Sequence, residues 1–191
     1  MNDYPLASSE QVLNVGKERY CRSEFPPYRF VPGLHPHPTN SPEGHSFGIE
    51  EEEVTTWDSE LWVENQDYLY GIDLYNYHFY WEAHEAWEGL WIASVRNSSE
   101  HMFLQGLIKL GAALLKIRMA SLEIQDLIGA RNLAKSGMSL LSRVQPTKFM
   151  GLNIPEYLES YGDFVNPIYE DDIPLIDSNT PRLLLLDFNQ H

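Results

Sequence analysis

Phe79-Tyr-Trp-Glu-Ala-His-Glu-Ala-Trp-Glu-Gly-Leu-Trp91 is the stretch on which the fold turns. At about 100° per residue, His84 and Glu88 stand one helical turn apart within a wall of aromatic side chains. Continued in both directions, the periodicity predicts one long helix from Asp73, as its N-cap, to about Ser94, with Gly71-Ile-Asp73 resetting the chain before it. On that helix Leu74, Tyr77, Tyr80, Trp81, Trp87, Trp91 and Val95 fill one broad arc, and His84 falls at its centre. Glu88 lies roughly 40° from His84 and Glu85 roughly 100°, with His78 and Glu82 further round and Glu85 directed away from the imidazole. Ala83, Ala86 and Leu90 cover much of the opposite side, and a helix apolar on nearly every side is central in its domain. Burying an uncompensated polar group costs roughly 2–7 kcal/mol, so His84 and Glu88 must be hydrogen-bonded, liganded or catalytic.

The neighbouring segments are helical too. Trp57 to Val63 predicts a short amphipathic turn or two. Ser98 or Ser99 can cap a helix running from Met102 to Met119, with Glu100 in its first turn and Phe103, Leu107, Ile108, Leu110, Leu114 and Ile117 along its apolar positions. Gly106, Gly111, Ala112 and Ala113 keep its surface low and permit close approach of another helix. Gln105 and Lys109, four apart, share a face. A third helix is expected from about Leu122 to Val144, with Leu127, Ala130, Ala134, Met138 and Leu141 at core spacing and Gln145-Pro146 ending it. Short connections make the three helices antiparallel neighbours. Pro155 to Tyr161 predicts a further short helix. Leu183 to Leu186 reads as an extended tail, packed on the bundle or on another subunit, and fits a homodimer contact.

The fold class is therefore all-α, a compact helical bundle around an aromatic-rich helix, with three regions. Residues 1–56 form a Pro/His-rich arm packed on the core, 57–146 the bundle core, and 147–191 a C-terminal helix and tail. Prolines between Phe25 and Gly48 remove backbone donors and keep the arm irregular, while Phe25, Tyr28, Phe30, Val31 and Leu34 hold it against the core. Glu50 to Glu53 reads as a solvated acidic run.

Composition narrows the function classes. The 191 residues carry 43% hydrophobic content and a formal net charge of −15, from 13 Lys and Arg against 28 Asp and Glu. That excess repels phosphate backbones and anionic lipid, which argues against nucleic-acid and membrane partners. No stretch reaches the roughly 20 apolar residues of a membrane span, and the N-terminus has neither a basic start nor an apolar run. Cys21 is the lone cysteine, so no internal disulfide is possible and a cytoplasmic location fits.

Tyr80-Trp-Glu-Ala-His-Glu-Ala-Trp-Glu-Gly-Leu-Trp91, Phe103-Leu-Gln-Gly-Leu-Ile-Lys-Leu-Gly-Ala-Ala-Leu-Leu-Lys116 and Gly129-Ala130 carry a resemblance. The chain resembles the domain of unknown function 309 family, whose pattern is an aromatic helix bearing His-Glu-x-x-Glu, a second helix opening Phe-Leu-Gln-Gly-Leu-Ile, and a Gly-Ala third helix. The resemblance spans roughly Asp73 to Val144. It implies an all-α bundle with a central helix and a polar signature on His84, Glu85, Glu88 and Gln105. Lys109 departs from the more usual neutral residue and is a candidate counter-charge to Glu88.

Two chemistries suit the site. In one, His84, Glu85 and Glu88 hold a divalent metal ion such as zinc, manganese or iron, or act as acid and base, in a pocket lined by Trp81, Trp87, Trp91, Gln105 and Lys109. His35, His37 and His45 are further candidate ligands from the arm. His-Glu-x-x-Glu lacks the second His of the zincin motif, which argues against a peptidase. In the other, which the sequence favours, His84 is a satisfied histidine bonded to Glu88 or Gln105 and the role is structural or one of protein interaction, with the metal or hydrolytic reading as its alternative. No activated nucleophile, phosphate loop, dinucleotide fingerprint or paired-cysteine site is present.

Overall fold

The computed structural model describes residues 19–49, 54–122, 127–186 and 188. The acidic run 50–53, the N-terminal residues 1–18 and positions 123–126, where the third helix was expected to begin, lie outside the described residues.

Five α-helices appear among the described residues: α1 Gln66–Asn76, α2 Tyr80–Ala93, α3 Ser99–Ser121, α4 Ile128–Leu141 and α5 Ile154–Val165. The all-α expectation holds. One long helix from Asp73 does not, because α1 and α2 divide it. Asn65 caps α1, its side chain accepting from Tyr68 N at 2.9 Å, and Asp73 lies buried within α1. At the corner His78 adopts φ 68°, in the left-handed region, and Phe79 N returns to Leu74 O at 2.8 Å. Both helices are buried on several sides, so no polar stripe or Gly-Pro signal marks the corner in the sequence. Gly71 belongs to the middle of α1 instead of resetting the chain.

The helix over Met102–Met119 is observed as α3, with Ser98 as its cap accepting from His101 N at 3.2 Å. Small residues set its contact with α4. A Cβ on Gly106 would meet Gly137 O at 3.3 Å, and one on Gly137 would meet Gly106 O at 3.0 Å, so the backbones nearly touch. Ala130, Ala134 and Leu141 are fully buried on the same face. α4 ends at Leu141 and not Val144. The chain tightens there into three-residue turns, Arg143 N to Leu140 O and Val144 N to Leu141 O, both 3.1 Å. Over Trp57–Val63 the structure has a short 3₁₀ turn, Ser59–Leu61.

A two-residue hairpin, β1 Lys148–Phe149 against β2 Leu152–Asn153, turns through Met150 and Gly151 at φ 44° and 78°. It leads into α5, which is longer than the expected Pro155–Tyr161 helix. Tyr157 and Tyr161 of α5 bury their rings and satisfy their hydroxyls, on Tyr75 OH at 2.5 Å and Leu110 O at 2.9 Å. The tail is extended, as expected. Asn76 brackets Leu183, accepting from its N at 2.7 Å and donating to its O at 2.9 Å. Leu183 and Leu185 are buried against the bundle, leaving Leu184 and Leu186 exposed.

Candidate functional site

α2 turns a face of Tyr80, Ala83, Trp87 and Leu90 into the core, all at 2% exposure or less. The 3-4-3 spacing of these residues is helical, yet it is not the arc of largest rings. His84 is therefore not at the centre of a buried face, as its position among the rings suggested. Its side chain is 28% exposed, on the edge of α2 between Trp81 and Trp91. The reason is packing: Ala83 is small enough for neighbouring helices to close on that side, which leaves Trp81 and Trp91 as partly buried flanks.

The three sequence-predicted polar residues do converge. His84 Nδ1 lies 3.4 Å from Glu85 Oε1, and its Nε2 lies 3.8 Å from Glu88 Oε1. The expectation that Glu85 points away from the imidazole is thus corrected, since on a half-exposed face the long carboxylate arm swings back. One ligand atom from each of His84, Glu85 and Glu88 lies within 4.8 Å of the others. All three stay part-exposed, at 28%, 26% and 39%. The Trp81 ring meets the His84 imidazole edge-on at 5.8 Å, and Trp91 packs on His101 at 5.6 Å. The indole N–H groups of Trp81 and Trp91 are buried without a partner.

Other predicted members take different places. Trp87 is a core residue, not a pocket wall: it is fully buried and donates from Nε1 to Tyr68 O at 3.1 Å. Gln105 is half-buried on α3. Lys109 donates from Nζ to Ser136 Oγ at 2.7 Å, so its ammonium braces α3 to α4 instead of facing Glu88. The arm histidines find three separate settings. His35 Nδ1 accepts from Val31 N at 3.2 Å, and burial depresses its pKa. His37 packs on Trp81 at 5.2 Å. His45 Nε2 lies 3.2 Å from Glu82 Oε1.

Sequence reasoning missed the two buried carboxylates. Asp73, 1% exposed, accepts from Tyr20 N and Cys21 N at 3.0 Å each and lies 3.5 Å from Arg19 Nε. Glu82, 5% exposed, accepts from Phe30 N at 2.8 Å as well as meeting His45. Burial raises the Glu82 pKa, and the Phe30 N–H and His45 oppose that rise. The cost argument applied to His84 could have found both, because each is an acid among buried rings. His78, at the corner, is pushed down to about 4, by burial first and by the charges of Arg29, Arg118 and Arg182 after it.

Among the described residues no helix is long and apolar enough to cross a membrane. No curated protein and no solved structure matches the chain. The family model described as Domain of unknown function (DUF309) matches residues 68–125, which run from α1 through α2 and α3. The matched segment holds His84, Glu85, Glu88, Gln105 and Lys109 together, and over it the chain is similar to that family.

Proposed function

We propose that the open face of α2 binds a divalent transition-metal ion through His84, Glu85 and Glu88. The observation that carries this reading is the convergence of one nitrogen and two carboxylate donors within 4.8 Å on a rigid helix. One imidazole and two carboxylates suit zinc, manganese or iron, and three protein ligands leave positions for water, as in catalytic rather than structural sites. A metal so held lowers the pKa of its water, which makes hydrolysis the first reaction class to screen. We take 57–146 as the functional unit, 1–56 as its cover and 147–191 as its brace.

The test is elemental analysis of protein purified without an affinity tag, before and after incubation with zinc, manganese or iron. About one metal per chain, lost in His84→Ala while the fold survives, supports the reading. Absence of metal from folded wild-type protein after all three incubations overturns it.

A second reading has its own support: both imidazole nitrogens of His84 already have a carboxylate beside them, at 3.4 and 3.8 Å. Under it the triad is a complete surface network, and the domain is a scaffold for a protein partner or a second copy, with Leu184 and Leu186 exposed for contact. His84→Gln would then shift melting and leave metal content at background. The net charge of −15 favours neither nucleic acid nor anionic membrane as partner, and a single, buried, free Cys21 accords with a cytoplasmic setting.

A further inference from the structure

The Ser59–Leu61 turn, the end of α2 and the first turn of α3 border an open groove of about 450 Å³. Three hydrogen bonds fix its walls. Trp57 donates from Nε1 to Leu90 O at 2.9 Å, Ser94 Oγ donates to the same carbonyl at 2.7 Å, and Ser59 Oγ donates to Glu100 Oε1 at 2.8 Å. Trp57 and Val95 give the groove its apolar side, and Val95 is 78% exposed. Ile92, in the last turn of α2, is 70% exposed, and Leu61, which closes the turn, is exposed as well. Single exposed aliphatic residues are ordinary on a protein surface. Three of them beside a groove with fixed walls mark an interaction surface.

The charge of the groove has one sign. Asp58 and Glu100 line it, and among the described residues that line it none is basic. The segments that form it, 57–61 and 92–100, carry Asp58, Glu60 and Glu100 against Arg96. Burial raises the Glu100 carboxyl, but hydrogen bonds from Ser98, from its own N–H and from Ser59 outweigh burial and hold it below the ordinary range, so it stays ionised near neutral pH. The last turn of α2 brings the negative end of a helix dipole with no basic residue to balance it. The positive end of α3 is already capped by Ser98 and offset by Glu100. A second copy of the chain is a poor occupant, because isologous pairing sets these carboxylates against themselves in molecules of net charge −15.

We propose that this groove docks a partner protein through an arginine side chain of the partner, flanked there by apolar residues that cover Ile92, Val95 and Leu61. A long basic side chain matches both halves of the groove: its methylene stem lies along Trp57 and Val95, and its charged head meets the carboxylates of Asp58 and Glu100. Arginine fits better than lysine, since its planar fork pairs with carboxylates and stacks on an indole. The inference rests on the partner reading above and gives that partner a surface and a chemistry. It uses no ligand of the metal reading.

The experiment is selection of a random twelve-residue peptide library, displayed on phage, against the full chain in the presence of a metal chelator. Enriched peptides are then synthesised and titrated calorimetrically. They are expected to carry arginine beside leucine, isoleucine, valine or phenylalanine, and to lose affinity roughly tenfold when that arginine is replaced by neutral citrulline. Val95→Lys, at an exposed position outside the helices, should weaken binding roughly tenfold or more. Asp58→Asn, which keeps an acceptor for Glu60 N, should weaken it severalfold. Leu184→Lys adds the same charge on the tail and should leave binding unchanged. Peptides that lose affinity on Leu184→Lys but not on Val95→Lys would keep the partner reading and overturn the groove. No enrichment at all would count against both. Enriched peptides without arginine, or a wild-type dimer in sedimentation that Val95→Lys dissociates, would also overturn the proposal.

Discussion

His45 Nε2 lies 3.2 Å from Glu82 Oε1, joining the irregular arm to the first turn of α2 across 37 residues of sequence. Both side chains are buried, and the same carboxylate oxygen accepts from Phe30 N. One acid thus fixes two points of a segment that, among its described residues, has no helix or strand of its own. Glu82→Ala should destabilise the protein by about 1–3 kcal/mol, because a buried N–H and an imidazole lose their acceptor. Urea denaturation measures the loss, and amide exchange at Phe30 should quicken along with it. Unchanged exchange at Phe30 would mean that the ring contacts, not the carboxylate, hold the arm.

His78 gives stability a pH dependence of known sign. Its pKa falls from 6.5 to about 4 on folding, so the folded state binds fewer protons between those values. The associated stability is present above pH 6.5 and is lost as pH falls toward about 4. His78→Asn keeps a residue tolerant of the left-handed backbone and removes the titration. The stability difference between wild type and variant should narrow or reverse across this window, by on the order of 3 kcal/mol at most. Parallel stability curves for the two proteins would show that His78 does not carry the effect. The raised Glu82 carboxyl acts in the opposite sense and is common to both proteins, so the difference isolates His78.

Gly71 is needed for a close approach and not for its backbone angle. A Cβ there would lie 2.1 Å from Nε1 of Trp87, the nitrogen that donates to Tyr68 O. Gly71→Ala must displace a fully buried indole and break its hydrogen bond, at a cost of about 2–4 kcal/mol from overpacking and the lost bond together. A fall in thermal midpoint with altered tryptophan fluorescence is the expected signature. An unchanged midpoint would show that α1 and α2 can separate freely.

Under the metal reading the two carboxylates act together. Glu85→Gln and Glu88→Gln should each lower zinc affinity roughly tenfold or more, because a neutral amide replaces an anionic oxygen donor. Competition against a chromogenic chelator measures this. If Glu85→Gln binds zinc as wild type does, the ion is held by His84 and Glu88 alone.

The arm shows where sequence reasoning stops. Its prolines and rings foretold an irregular segment lying on the core, and Phe30 and Val31 are indeed buried while Leu34 is exposed. Nothing local foretold that Glu82 and Asp73 would receive its backbone N–H groups, since those bonds span 52 and 53 residues. His84 and Glu88 were legible as a pair because one helical turn fixes their separation wherever the helix packs. Glu85 joined them only through side-chain rotamers that periodicity does not specify.

By itself the sequence determined the all-α class, a serine cap of α3 at Ser98 or Ser99, the core places of Ala130, Ala134 and Leu141 on α4 and the i, i+4 pairing of His84 with Glu88. All of these follow from steric and hydrogen-bonding rules acting within a few residues. Tertiary structure decided the corner at His78, the burial of Ala83 and Leu90 ahead of Trp81 and Trp91, and the enclosure of Asp73 and Glu82. A helix apolar on several sides offers many faces to the core, and which face is buried depends on what the rest of the chain brings against it.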